Sequence, residues 1–116
     1  MRGRTLSRAA ATARAHAAPV FAALGDQTRL GLVQQLGSAG PQSIARLSAG
    51  SAMTRQAITK HLLVLDSAGL VRSTRRGRER IWECDPTPLA EAGRFLDAVS
   101  IRWDAALSRL QHRVER

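Results

Sequence analysis

The chain is 116 residues long, enough for about one domain with its own hydrophobic core. Its 18 lysines and arginines outnumber its 9 acidic residues, and the resulting pI of about 11.7 is typical of proteins whose partner is a polyanion, most often nucleic acid. The single cysteine, Cys84, excludes a disulfide within these residues and a zinc site built from several cysteines, and the apolar runs are too short for a transmembrane helix, so we expect a protein of the reducing cytoplasm with no membrane partner.

The charge is unevenly distributed along the chain. Residues 1–82 contain 13 basic and 3 acidic side chains, a net charge of +10, whereas residues 83–116 contain 5 and 6, a net charge of −1. The basic surface therefore belongs to the first part of the chain. We predict three segments: an N-terminal tail or helix over 1–18, a basic domain over 19–86 and a C-terminal helix over 87–116.

The first 18 residues are rich in alanine and arginine and contain no acidic residue. This composition superficially resembles an organellar transit peptide, but alanine has the highest helix propensity, and we favour a frayed tail that runs into a helix. From Pro19 the apolar residues continue as a short helical run that is predicted to stop at Gly25.

Two short helices are predicted next. Asp26 is a good N-cap for the first of them. The apolar residues of this helix recur at intervals of three and are expected on one face: Leu30, Val33 and Leu36. The second is a short helix around 44–47, for which Ser43 is a candidate cap.

A third helix is predicted to begin after the N-cap Thr54 and to stop at Gly69. Its apolar residues are spaced by four and three and form one stripe: Ile58, Leu62 and Leu65. Beyond it, the segments LVRST and ERIWEC are typical of two short strands joined by a turn that contains Gly77. Cys84 alternates with Trp82 on the face of the second strand that is expected to point inward.

A long helix is predicted from Leu89 nearly to the end, after a break at residues 85–88. Its apolar residues alternate intervals of three and four, which is typical of a helix packed lengthwise on another: Leu89, Ala92, Leu96, Val99, Trp103, Ala106 and Leu110. So small a domain cannot cover so long a helix, and we expect a second copy of the chain to do so. The predicted dimer interface is the alanine-rich N-terminal segment together with Leu96, Val99, Trp103, Ala106 and Leu110.

Two short helices separated by a glycine-bearing turn and followed by a two-stranded ribbon describe a helix-turn-helix with a wing, in a mainly α-helical chain. Three motifs in this order resemble the ArsR family of transcriptional regulators: LGDQTRLGLVQQL (24–36), TRQAITKHLLVLDSAGLVR (54–72) and GRERIWECDP (77–86). The resemblance covers about residues 19–86. It implies a homodimeric winged-helix repressor that binds double-stranded DNA at an imperfect palindrome, with residues 87–116 as the dimerisation helix.

The predicted DNA-binding residues form two groups. On the third helix, about 100° per residue places the polar side chains on an arc of about 140° opposite the apolar stripe. We assign Arg55, Gln56 and Thr59 to base edges and Lys60 to phosphate, with Thr54 at the start of the helix. In the hairpin, like charges crowd together and would be neutralised by phosphates or by a narrow minor groove: Arg72, Arg75, Arg76, Arg78 and Arg80. A solvated helix face and a plain surface hairpin are the alternatives.

Two further residues of the third helix are notable. Leu63 shares the polar arc, where the family commonly has a polar residue, and it is expected either to touch a thymine methyl group or to pack on the partner. His61 lies at the flank of the apolar stripe and is expected to make a structural hydrogen bond rather than a base contact.

Many members of the family bind metals, and the resemblance allows this to be tested residue by residue. The region that matches the family's cysteine pair reads SIARLSA, and on the last helix His112 and Glu115 are left without two earlier ligands, which fall on Val99 and Ile101. Two ligands are too few for a zinc site, so we predict no metal and no cofactor. Whether a small-molecule effector exists is left open.

No serine–histidine–aspartate set, glycine-rich phosphate loop or pair of carboxylates in an apolar setting is present, so an enzyme is not expected. Two alternatives to a DNA-binding repressor remain. One is a winged-helix module that binds protein or RNA. The other is a ligand- or redox-operated sensor that uses Cys84, although packing inside the domain is the favoured role for that residue.

Overall fold

The computed structural model describes the backbone of residues 2–114 and the side chains of residues 8–114. Within that range the elements are α1 (Arg2–Leu24), α2 (Gln27–Ala39), β1 (Gln42–Ser43), α3 (Ile44–Ser48), α4 (Arg55–Ser67), β2 (Val71–Arg76), β3 (Glu79–Cys84) and α5 (Pro86–Val114). The predicted fold class, mainly α-helical with a β-hairpin wing, is confirmed.

The apolar stripe of α4 lies at the centre of the core. Ile58, Leu62 and Leu65 are at most 1% exposed. Buried residues from the surrounding elements pack around them: Val20, Ala23, Leu32, Val33, Leu36, Leu47, Leu70, Val71, Trp82 and Ala92. Burying a leucine or isoleucine contributes about 1.5–3 kcal/mol, so one face of α4 is held firmly against the domain. The prediction for this helix is confirmed.

Three helices begin at the residues that the sequence predicts as N-caps. The Asp26 carboxylate accepts a hydrogen bond from the backbone N–H of Arg29 at 3.0 Å. The hydroxyl oxygens of Ser43 and Thr54 accept hydrogen bonds from N–H groups three residues later, at 3.3 and 3.1 Å. Each cap satisfies a backbone donor that has no partner within its helix, which is worth about 1 kcal/mol.

Gly69 ends α4 as predicted. Its φ of 77° lies in the left-handed region that favours glycine. The N–H of Gly69 donates to the carbonyl of Asp66, and the N–H of Leu70 donates to the carbonyl of Leu65. This pair of hydrogen bonds is a Schellman motif, and it turns the chain directly from α4 into β2.

The sheet has three antiparallel strands in the order β1-β3-β2. The sequence predicted only β2 and β3. The additional strand, β1, pairs with β3, so that Gln42 lies opposite Trp82 and Ser43 lies opposite Ile81. Two residues are too few to give a recognisable alternation, which is why this strand was missed. The hairpin turn consists of Gly77 and Arg78, with positive φ at Gly77 only, as in a type II′ turn.

Three details of the helices differ from the predictions. Helix α1 runs through Pro19 without a break, because this exposed proline leaves only one carbonyl without its helical partner and water can reach it. Helix α5 begins at Pro86 rather than Leu89, since proline is tolerated in a first turn and the Asp85 carboxylate accepts from the N–H of Thr87 at 3.1 Å. Leu30 is 51% exposed and does not share the buried face of α2.

Helix α5 is only partly covered by the rest of the chain. It packs along α1, and within Pro86–Val114 Ala92 is the one fully buried residue. Its 29 residues span about 43 Å at 1.5 Å per residue, so its second half extends past the core. In the described part of the chain, no helix is long and apolar enough to cross a membrane.

Candidate nucleic-acid interface

The face of α4 opposite the core carries the predicted polar residues. Arg55, Gln56 and Lys60 are exposed, and Thr59 is half-buried. Two hydroxyl groups in this region already have backbone partners. Thr54 caps the helix through Oγ1, and the Thr59 hydroxyl donates to the carbonyl of Arg55 at 2.8 Å. The structure therefore leaves the long side chains of this face free to reach outward, while both threonine hydroxyls are bonded to the backbone of the helix.

A polar cluster fixes the orientation of α4. The guanidinium of Arg29 donates through Nε to the carbonyl of Ala23 at 2.6 Å and through Nη1 to Nδ1 of His61 at 3.2 Å. Because a guanidinium only donates, Nδ1 of His61 is the acceptor. The expectation that His61 makes a structural hydrogen bond is confirmed. Arg29 was missed by the sequence reading, since nothing in its neighbours distinguishes it from other helical arginines.

Asp26 belongs to the same cluster. Its Oδ2 lies 3.8 Å from Nδ1 of His61. The hydrogen bond from the backbone N–H of Arg29 is the largest effect on the Asp26 carboxyl and lowers its pKa; burial opposes this in part, and the charge of Arg29 lowers the pKa further. Asp26 therefore both caps α2 and faces the inner flank of α4.

The register of the wing divides its arginines between two faces. Residues directly opposite each other in an antiparallel pair share a face, and on one face Arg72 is opposite Glu83 and Arg76 is opposite Glu79. The guanidinium of Arg72 donates through Nε to Glu83 at 2.8 Å, which raises the pKa of Arg72. This face of the hairpin is close to neutral.

On the other face, Arg75 is directly opposite Arg80. Like charges in this position are destabilising, because the two Cβ atoms are only about 5 Å apart. Arg80 donates through Nη1 to the hydroxyl of Ser73 at 2.9 Å, which keeps its guanidinium on that face. With Arg78 in the turn, the unbalanced positive charge is concentrated on one face and at the tip.

Cys84 has the environment of a packed thiol. It is partly buried and lies against the core beside Trp82, as predicted. Burial raises the pKa of its thiol, and the negative charge of Asp85 adds to this effect. Within residues 8–114, no three histidine, cysteine, aspartate or glutamate side chains lie close enough together to hold a metal ion. Glu115, one of the two residues weighed as metal ligands, lies outside the described residues.

The predicted dimer residues on α5 form a stripe that the chain itself leaves largely open. Leu96, Trp103 and Leu110 are exposed, whereas Val99 and Ala106 are half-buried. Leu107 and Val114 are also exposed and extend the same stripe. The prediction from the seven-residue repeat did not include Leu107 and Val114. They follow Trp103 by four and eleven residues, which places them on the same side of the helix.

The sequence and the fold are similar to those of known regulators. The chain is 36% identical over 86 residues to the HTH-type transcriptional regulator Rv2034 of Mycobacterium tuberculosis. These residues make up 74% of this chain and 77% of that protein. It is 38% identical over 76 residues to YuzN of Bacillus subtilis, an uncharacterised HTH-type transcriptional regulator, with 60% of this chain and 83% of the relative covered.

Among solved structures, an ArsR-like transcriptional regulator from Rhodococcus sp. RHA1 superposes with a TM-score of 0.72 at 38% identity, over 84% of this chain and 92% of that one. No protein-family model matches the sequence. The matched stretches, 86 residues for Rv2034 and 84% of this chain for the Rhodococcus regulator, are both longer than the segment of residues 24–86 that contains the three motifs.

Proposed function

Because the chain belongs to the ArsR family of helix-turn-helix transcriptional regulators, we propose that it acts as a homodimeric repressor that binds a palindromic operator in double-stranded DNA. In this proposal α4 is the recognition helix, the β2–β3 hairpin is the wing, and α5 with α1 forms the dimer interface. Half-sites would be about one helical turn apart, as the twofold symmetry of a helix-turn-helix dimer requires.

The observation that carries the proposal is the two-sided character of α4. One side is fixed by Ile58, Leu62 and Leu65, and the other presents Arg55, Gln56 and Lys60 to solvent. A helix held in this way fits the major groove, where arginine can bond guanine O6 and N7 and glutamine can bond adenine N6 and N7. Arg55 and Gln56 occupy the first turn, from which recognition helices reach base edges.

The wing supports a second contact with the DNA backbone. The opposed pair of Arg75 and Arg80 destabilises the free hairpin and would be neutralised by phosphate. Arg78 at the turn can reach the same phosphates or an adjacent minor groove. Arg72 is already paired with Glu83, so it contributes less than the sequence suggests.

The exposed stripe of α5 supports the dimer. Large apolar side chains recur along more than four turns of this helix, and monomeric soluble proteins rarely expose a contiguous apolar surface of this extent. A second copy of α5 offers the same stripe, and a twofold interface between identical surfaces is the commonest way to cover it.

The proposal is tested by selecting duplexes from a random library and measuring their binding at several salt concentrations. If the protein makes about 6–10 phosphate contacts, its affinity for duplex DNA should fall by a factor of about 10³–10⁵ between 50 and 200 mM salt. Arg55→Ala should relax base choice at a cost of about 1–3 kcal/mol, whereas Lys60→Ala should weaken specific and random DNA alike. Arg94→Ala, at an exposed position of α5 outside the dimer stripe, is the control that removes the same charge away from the proposed DNA-binding surface.

The outcomes separate the alternatives. A response that is flat with salt, or binding that prefers RNA or protein to duplex DNA, would favour a different winged-helix module. If Arg55→Ala and Lys60→Ala behaved alike on specific and random duplexes, the assigned roles would be wrong. Repression is tested separately, by footprinting the DNA upstream of the protein's own coding region and measuring a reporter joined to it with and without the protein.

A further inference from the structure

Thr59 and Leu63 form an apolar strip on the outward face of α4. They are four residues apart, so one lies above the other along the helix. Leu63 is 51% exposed, and its side chain can form no hydrogen bond. The hydroxyl proton of Thr59 is donated to the carbonyl of Arg55 at 2.8 Å, so Thr59 has no donor left and offers a new partner its γ-methyl group and an acceptor oxygen.

The strip lies between the residues proposed to contact DNA. At about 100° per residue, Thr59 and Leu63 fall between the directions of Arg55 and Gln56 around the helix axis. Lys60 is adjacent to both of them. Cationic and amide side chains around the strip favour a polyanion as the partner over an apolar protein surface. DNA is therefore the partner that we expect the strip to contact.

The major groove has one apolar feature, the 5-methyl group of thymine, which apolar side chains recognise by contact. Thr59 and Leu63 are separated by about 6 Å along the helix. Successive base pairs are about 3.4 Å apart, so the strip spans nearly two base-pair steps. We propose that Thr59 and Leu63 read the 5-methyl groups of one or two thymines in each half-site.

This inference rests on the proposed function and adds a specificity to it. Arg55 and Gln56 would select guanine and adenine by hydrogen bonds, and the strip would select thymine by burying its methyl group. The half-sites enriched by the protein should therefore contain A·T pairs within two steps of each other, on the side of the motif contacted by the middle of α4.

The test replaces thymine with deoxyuridine in the enriched duplex, one position at a time. Deoxyuridine keeps every hydrogen-bonding group of thymine and lacks only the 5-methyl group. Losing one buried methyl should weaken binding about fourfold, and replacing the symmetric thymine of the second half-site as well should give about sixteenfold. Deoxyuridine at thymines outside the half-sites is the control for altered duplex stiffness.

Two conservative variants assign the contact. Leu63→Ala removes the branched end of the side chain at an exposed position and introduces a good helix former, so folding is preserved. Thr59→Ser removes only the γ-methyl group and keeps the hydroxyl that bonds the carbonyl of Arg55. Because a homodimer carries each substitution twice, each variant should bind the natural duplex about sixteenfold more weakly and lose its sensitivity to deoxyuridine at one position of each half-site. Leu30→Ala, an equally exposed leucine outside α4, should change neither quantity.

The failures of the two proposals differ in this experiment. If the protein enriches a specific sequence but binds its deoxyuridine form equally well, methyl reading is refuted and the DNA-binding proposal stands. Methyl reading is also refuted if Leu63→Ala and Thr59→Ser both retain the full deoxyuridine effect, or if the enriched half-sites contain no thymine. If no duplex is enriched at all, the proposed function itself fails.

Discussion

Trp103 provides the sharpest test of the proposed dimer. It lies in the middle of the exposed stripe of α5 and is 64% exposed in the isolated chain. If a second copy covers this stripe, the indole leaves water on dimerisation. Trp103→Ala then removes a large part of the apolar surface that holds the two copies together, whereas the core of each chain is untouched.

The expected loss follows from the exposed area. A tryptophan buries about 150–250 Å², so 64% of it corresponds to about 130 Å², or about 3 kcal/mol per chain at about 25 cal/mol per Å². A twofold dimer contains the residue twice, which gives an upper limit of about 6 kcal/mol. With half of that area covered, the loss is about 3 kcal/mol, or a roughly 100-fold increase in the dimer dissociation constant.

Sedimentation equilibrium over a range of concentrations measures this constant, and far-ultraviolet circular dichroism checks that the variant is folded. The matched control is Ile101→Ala. Ile101 is 68% exposed on the same helix but lies about 160° around it from Trp103, so it is outside the stripe. A Trp103→Ala protein that dimerises like the parent, or an Ile101→Ala protein that dissociates, would refute the assignment of the stripe.

Three further predictions concern single residues. Leu62→Ala should lower the free energy of unfolding by about 2–5 kcal/mol in urea at one fixed protein concentration, because Leu62 is completely buried, whereas Leu63→Ala should change it by less than about 0.5 kcal/mol. The pKa of Asp26 is lower in the folded state than in the unfolded state, where it is about 3.9, so its ionised carboxylate stabilises the fold. This stabilisation is complete above the unfolded pKa and is lost as the pH falls through the folded pKa. The difference in unfolding free energy between the parent and Asp26→Asn should therefore shrink below about pH 4 and be constant above about pH 6. Burial raises the pKa of the Cys84 thiol, so iodoacetamide at pH 8 should alkylate it more slowly in the folded protein than in urea, and equal rates would contradict the packed environment.

Signals that act within a few residues could be predicted from the sequence. Asp26 and Thr54 cap their helices because a short acceptor three residues before a free N–H is sufficient. Gly69 ends α4 because a left-handed residue is needed there. The buried stripe of α4 follows from the same kind of information, since offsets of four and three keep apolar residues on one side of a helix.

The error at Leu30 has a geometrical cause. Three residues advance a helix by about 300°, so each interval of three rotates the position by about 60° from the one before. Leu30 and Leu36 are therefore about 120° apart and cannot both face the same core. The structure buries Leu32 instead, which lies about 40° from Leu36. An unbroken series of threes is consequently weaker evidence for one helical face than alternating threes and fours.

The distribution of charge on the wing could not be predicted, because it depends on the register. The sequence showed a cluster of arginines and a turn near Gly77, but a turn longer by one residue would have placed different side chains opposite each other. With the two-residue turn, Arg72 meets Glu83 and Arg75 meets Arg80. The arginines of the wing therefore differ in the charge that faces them, although their local sequences are alike.

The apolar repeat of α5 could be predicted from the sequence, but the sequence did not indicate which part of it the chain itself would cover. Ala92 and Trp103 belong to one continuous stripe, yet Ala92 is buried within the chain and Trp103 faces solvent. The buried position of α5, Ala92, and the ring contact of Phe95 with Phe21 of α1 both lie in the first half of α5. A repeat pattern identifies an apolar face, whereas the length of the helix relative to the domain determines whether that face is buried within one chain.

Arg29 joins the elements assigned to dimerisation to the helix assigned to DNA recognition. It bonds the last turn of α1 through the carbonyl of Ala23 and bonds α4 through His61, and α1 also packs along α5. Hydrogen bonds made by a charged group are each worth about 1.5–3 kcal/mol, so α1 cannot rotate against α4 without a substantial loss. In a dimer, α5 would determine where the two chains meet, and the Arg29 linkage would determine the angle at which each chain presents α4. The separation of the two recognition helices, and with it the spacing of the half-sites, would then depend on this half-buried polar cluster as well as on the apolar stripe.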